Sequence, residues 1–116
     1  MRITCLALKL NTVDGGGSNF ALNLQLNYLA SRGHSVRLIT VFPKQNKIAE
    51  PLSFALIEKY STNGRFLHLQ KFVTHILQAE ESETDVYYLD GQALIWCGGE
   101  YRQTGGTKPV VAYINC

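Results

Sequence analysis

The first ten residues (MRITCLALKL) alternate Ile3, Cys5 and Ala7 with Thr4, Leu6 and Leu8, so both faces of an extended chain are largely apolar. A strand of that kind is covered on two sides, as in a parallel sheet. Residues 11–17 (NTVDGGG) form a loop that ends in three glycines. Residues 19–32 then repeat with a helical period: Leu22, Leu26, Leu29 and Ala30 share one face, with Phe20 and Leu24 beside it. Ser18 is the expected N-cap, and Gly33 the C′ residue, where positive φ costs glycine little. Residues 36–42 (VRLITVF) read as a second strand. Strand, glycine loop, helix, turn and strand make a βαβ unit with a right-handed crossover.

Further along, residues 43–51 are polar and predict a loop. The run 53–60 (SFALIEKY) suits a strand or a short helix by periodicity. A strand is favoured, because Asn63-Gly64 follows and a clearer helix begins at once. That helix, residues 65–81, places Phe66, Leu69, Phe72, Val73, Ile76 and Leu77 on one stripe. Glu80, Glu81 and Glu83 stand at its C-terminal end, where the macrodipole disfavours acids, so it is expected to fray there. Residues 85–90 (DVYYLD) form a short strand, and Gly91-Gln92 turns into a helix buried through Ala93, Leu94, Cys97 and Tyr101. Gly98 and Gly99 either permit close packing of that helix or weaken it. Gly105-Gly106 ends it, and residues 108–115 (KPVVAYIN) form the last strand, with Pro109 at its mouth. The expected fold is α/β: a Rossmann-like three-layer sandwich whose mostly parallel sheet of about five strands runs in the order 3-2-1-4-5.

Composition changes this picture little. The 116 residues make one domain, with 46% apolar and 17% charged residues. A net charge of +2 argues neither for nucleic acid nor for an anionic membrane. Cys5 and Cys97 read as small buried hydrophobes; with Cys116 they form no CxxC pair and no disulfide framework, which points to a reducing compartment. Without a signal-peptide pattern or a membrane-spanning run, a soluble, cytoplasmic protein is expected. His68 and His75 share a helix face but stand about 10 Å apart, too far for one metal, and His34 reads as a turn residue. No metal site and no cofactor are expected. Trp96 and Tyr101 read as packing residues.

The glycine loop carries the candidate chemistry. In open α/β sheets ligands sit at the carboxyl ends of the strands, where the first strand feeds its helix. Glycines let the main chain approach a phosphate or hydroxyl closely, and the helix N-terminus favours negative charge. The dinucleotide fingerprint needs glycine or alanine where Phe20 stands, and an acid after the second strand, where residues 41–44 are VFPK. The order Gly106-Thr107-Lys108 does not make a P-loop.

Gly15-Gly16-Gly17 opening a helix, the junction ASRGHSV at 30–36, DVYY at 85–88 and KPVVA at 108–112 together resemble the N-terminal domain of family 4 glycosyltransferases. The similarity runs in order along the chain, except across residues 43–64. It implies a GT-B architecture, two Rossmann-like domains facing across a cleft, of which residues 1–116 supply part of the first; the C-terminal donor domain would be absent and the fragment alone inactive. It further implies retaining transfer of a hexose from a nucleotide-sugar donor, held mainly by the missing domain, to a carbohydrate or lipid-linked acceptor. Carried over by position, the substrate-binding candidates are Gly15, Gly16, Gly17, Ser18 and Asn19, with Asp90 and Gln92 on the same rim, while Asp14 reads as a turn former. Family members often carry a histidine just beyond the fifth strand; here Asn115 stands there, able to bond a sugar hydroxyl but not to act as a base, so no catalytic residue is assigned. Peripheral membrane contact of the full-length protein and homodimerisation of the fragment are further expectations, and nucleic acid is not an expected partner. The alternative reading is a non-catalytic, flavodoxin-like binding module for a small anion or a partner protein.

Overall fold

The computed structural model describes residues 1–62 and 66–113. Its elements are β1 (Arg2–Ala7), α1 (Gly16–Ser31), β2 (Ser35–Thr40), β3 (Ala55–Ile57), α2 (Phe66–Ala79), β4 (Val86–Asp90), α3 (Gln92–Gln103) and β5 (Val110–Tyr113). The strands form one sheet in the order β3-β2-β1-β4-β5. Every pairing is parallel, with Cys5 opposite Leu38 on one side and Tyr88 on the other. The chain is thus a Rossmann-like α/β sandwich, as its pattern predicts. Asn63-Gly64, Asn115 and Cys116 lie outside the described residues.

Strand alternation divides the core into two layers. Leu6, Ile39, Val41, Tyr87 and Leu89 face α2 and α3, and meet Leu69, Val73, Ile76, Leu77, Leu94, Cys97 and Tyr101. Cys5, Ala7, Val36 and Leu38 face the other way, onto Leu22 and Leu26 of α1. Each fully buried large apolar side chain contributes about 1.5–3 kcal/mol relative to exposure. Gly98 lets α3 pack closely on the sheet: a Cβ there would stand 3.0 Å from both Leu89 Cδ1 and Val110 Cγ1. Gly99 faces open space and has no such role.

The second layer is thin because β2 and β3 are joined without an α-helix. Residues 41–54 contain only a 3₁₀ turn at Pro43–Gln45, and their apolar end, Leu52 and Phe54, covers the α1 side of the sheet. Of the run 53–60 only Ala55–Ile57 is strand, paired with β2, while Ser53 and Phe54 form a bend ahead of it.

Three expectations need correction. Ser18 is not the N-cap: α1 begins at Gly16, Gly15 is its N-cap, and no side chain caps it. The helix starts two residues before Ser18, after a sharp turn at Gly16, whose φ of +79° glycine adopts at little cost. Trp96 is not a packing residue; it is 70% exposed on the solvent side of α3, while Leu94, Cys97 and Tyr101 fill the inner side. Nor does the chain simply fray after α2. A 3₁₀ turn at Glu81–Glu83 follows, and Glu80 is buried.

Candidate functional site

The order of the sheet reverses between β1 and β4. The connections leaving these two strands diverge to opposite sides, which opens a crevice beyond their carboxyl ends. A cavity of about 210 Å³ occupies it, lined by Leu8 and Lys9 after β1, Ser18 and Asn19 on α1, and Asp90 and Gly91 at the end of β4. Three of the expected residues, Ser18, Asn19 and Asp90, therefore converge. Gly15, Gly16 and Gly17 lead into the same wall without lining the cavity, and Gln92 is exposed and also outside it.

The loop that carries this wall is held by asparagines rather than by its glycines. Asn11 Oδ1 accepts hydrogen bonds from the Val13 and Asp14 amides at 3.1 and 3.0 Å, and Asn11 Nδ2 donates to Asp14 Oδ1 at 2.7 Å. Asn19 reaches back from the helix: its Oδ1 accepts from the Asn11 amide and its Nδ2 donates to the Gly15 carbonyl, both at 3.0 Å. The β2–β3 connection braces the outside. Lys47 N donates to Leu10 O at 3.0 Å, Thr12 N to Lys47 O at 2.8 Å, and Asn46 Oδ1 accepts from Leu10 N at 2.8 Å. Asp14 is a turn residue here, paired at 3.8 Å with Lys47.

Gly15 sits where this lacing is tightest. A Cβ would stand 2.8 Å from Asn11 Cβ and 2.9 Å from Asn19 Cγ. Gly15→Ala is expected to cost about 1–3 kcal/mol by overpacking and to displace Asn19 from the cavity wall. Gly17→Ala, with open space around it, changes stability far less, since helix propensity favours alanine there. Chemical denaturation of both variants checks this; equal stabilities would mean that the loop is not packed as described.

Two electrostatic features meet at the crevice. The head of α1 has no side-chain cap and no acidic residue in its first turn, so its amides and positive dipole end are uncompensated. Opposite them, burial pushes the Asp90 carboxyl above its ordinary pKa, and no hydrogen bond to that carboxylate is made by any described residue. A carboxylate held this way is ready to accept a proton or a hydrogen bond from a ligand. The free thiols have no comparable role: burial raises Cys5 well above the usual range and Cys97 to about 11, so both stay protonated at neutral pH.

Leu8, Lys9 and Gly91 line the cavity without having been singled out from the sequence. Lys9 left one trace there, a cation interrupting an otherwise apolar strand end. Among the described residues no cluster of three or more His, Cys, Asp or Glu side chains is placed to hold a metal ion, and no helix is long and apolar enough to cross a membrane. No protein-family model and no curated protein matches the chain.

Proposed function

We propose that this domain is the acceptor-side half of a retaining, GT-B-type glycosyltransferase that takes a hexose from a nucleotide sugar. The observation that carries the reading is the unpartnered Asp90 carboxylate facing the uncapped head of α1 across one crevice at the topological switch point. An acceptor sugar offers hydroxyl donors, which an acceptor-only carboxylate recognises. A departing nucleoside diphosphate develops negative charge, which the α1 amides and Lys9 stabilise electrostatically. Asp90 serves here as a positioning and hydrogen-bond-accepting group; no residue is assigned as nucleophile.

The gene product that carries this domain is expected to release UDP or GDP from a UDP- or GDP-hexose when acceptor is present. Asp90→Asn keeps the shape, turns two acceptor oxygens into one acceptor and one donor, and lowers kcat/KM about a hundredfold, equivalent to about 2.7 kcal/mol. Because burial works against the ionised Asp90, the same variant unfolds at an equal or higher denaturant concentration at neutral pH. Absence of nucleotide release from every common hexose donor defeats the assignment. Full turnover in Asp90→Asn would remove its central residue.

A further inference from the structure

A second cavity, of about 380 Å³, lies on the flank of α1 away from Lys9 and Asp90, between that helix and the β2–β3 connection. Its polar lining includes Asn23, Asn27 and Glu50, and its apolar lining includes Phe20, Leu24 and Leu52. We infer that this groove is a saccharide-binding site, which takes one or two neutral pyranose rings against the outer face of α1. The inference stands apart from the glycosyl-transfer reading, because a sugar can be held here whether or not the chain transfers one.

Four observations select that ligand class. First, among the described residues the lining contains no lysine or arginine and has one carboxylate, so a phosphate or sulfate is disfavoured and an uncharged hydroxyl donor is favoured. Second, the amides are pre-organised. Asn27 Oδ1 accepts from the Ser53 hydroxyl, and Asn27 Nδ2 donates to Asn23 Oδ1 at 3.2 Å. That chain orients Asn23 and leaves its Nδ2 without a protein acceptor among the described residues, while the Glu50 carboxylate likewise receives no hydrogen bond from them. Donors and acceptors with fixed directions are what a ring of hydroxyls pairs with, and ordering them in advance lowers the cost of binding.

Third, apolar surface is kept in water beside those polar groups. Phe20 is 45% exposed and Leu24 69% exposed, in successive turns of a helix whose other side already fills the core with Leu22 and Leu26. The negative face of an aromatic ring attracts the weakly positive C–H groups on one face of a pyranose. Fourth, the size fits: ligand sites fall in the range of about 300–1,000 Å³, and the mixture of apolar wall and few directed polar groups is typical of them. A purely lipidic ligand would leave Asn23 and Glu50 desolvated and unpaired, which costs more than the apolar contact returns.

The test is a ¹H–¹⁵N NMR titration of the 116-residue chain with maltose, cellobiose and N,N′-diacetylchitobiose, each raised to tens of millimolar, with inorganic phosphate and octyl-glycol micelles as contrasting probes. At least one saccharide is expected to move the amides of residues 20–27 and 50–53, to saturate, and to leave Lys9, Ser18 and Gly91 still. Phe20→Ala is expected to weaken that binding about tenfold without unfolding a residue already half in solvent. Asn23→Asp, which removes the Nδ2 donors and adds a charge, weakens it as well. Shifts produced by phosphate or by micelles but by no saccharide overturn the inference. So do resonances of residues 20–27 that move only with protein concentration, which would mark a self-association surface. Nucleotide release by the gene product with no saccharide shift at this groove would leave the transfer reading intact and sink this one alone.

Discussion

Glu80→Ala is expected to lower the free energy of unfolding by about 3–5 kcal/mol, a large part of the 5–15 kcal/mol that holds an ordinary domain together. The Glu80 side chain is only 7% exposed, yet it gathers three donors: Arg37 Nη1 at 3.0 Å on Oε1, and Lys59 Nζ at 3.4 Å and the Tyr60 hydroxyl at 3.2 Å on Oε2. Arg37 extends the group inward, donating through Nη2 to Thr4 Oγ1 at 3.0 Å. Thr4 and Thr84 share a hydrogen bond at 2.7 Å, and Thr84 returns to the Glu80 carbonyl at 2.8 Å. This network sews α2 to β1 and β2 at the amino ends of the strands, the opposite rim from the crevice. Removing the carboxylate leaves the Arg37 charge largely buried with no counter-ion, beside an Nε that already lacks a partner. Replacing both ends, Glu80→Leu with Arg37→Met, is expected to cost less than Glu80→Ala alone, because no orphan charge is left. Urea denaturation decides the matter. A loss of under about 1 kcal/mol for Glu80→Ala would mean that water screens the pair as it does at a surface.

The same network sets an acid limit. Desolvation raises the Glu80 pKa, but the Arg37 hydrogen bond and charge, with Lys59, outweigh it and hold the carboxyl below its ordinary value. A carboxyl depressed in the folded state contributes stability that is complete above its unfolded pKa of about 4.3. That contribution fades as pH falls through the lower, folded value. Asp85 is also held low, chiefly by the Arg2 amide and guanidinium. Asp90, raised by burial, has the opposite sign and gains nothing from ionising. Stability is therefore expected to fall on acidification below about pH 4, more steeply in wild type than in the Glu80→Leu, Arg37→Met pair.

Much of the fold was legible because it rests on local pattern. Two-sided apolar strands such as Ile3–Ala7, the stripe Leu69–Val73–Ile76–Leu77 and the stops at Gly33 and Gly105 each follow from period or from φ, and each is found in place. Misreadings arose where tertiary contacts override a local rule. Glu80 looks like a misplaced acid at a helix end until Arg37, 43 residues away, is seen to neutralise it. Trp96 looks like core by type, but a helix that already seats Leu94, Cys97 and Tyr101 inward has no room left on that side. At the crevice the strand–loop–helix order was enough to put Ser18, Asn19 and Asp90 on one rim. The bracing from Asn46 and Lys47 was not legible, since it comes from a connection of no regular period.

Tyr101→Ala is expected to cost about 3–5 kcal/mol, the other large loss in this molecule. Tyr101 is fully buried and meets Tyr87 edge-on, with ring centroids 5.5 Å apart at 80°. Its hydroxyl accepts from the Lys108 amide at 3.0 Å, and its carbonyl accepts from Gly106 N at 2.8 Å. The side chain thus ties the approach to β5, while the backbone of the same residue closes the end of α3. Gly106 completes the seat: a Cβ there would lie 2.5 Å from ring atoms Cε1 and Cε2. Gly106→Ala in wild type is therefore expected to cost about 1–3 kcal/mol by pushing on the ring. Tyr101→Phe, which keeps the ring and loses one hydrogen bond, costs about 1 kcal/mol. Combined with Tyr101→Ala, the Gly106→Ala methyl enters space the ring has left, so the double variant is more stable than the two separate losses would add to. At 4–8 °C for each kcal/mol in a domain of this class, Tyr101→Ala lowers Tm by roughly 12 °C or more. If the Gly106→Ala loss is the same with and without the Tyr101 ring, the two residues do not press on each other, and the α3–β5 junction is held by something else.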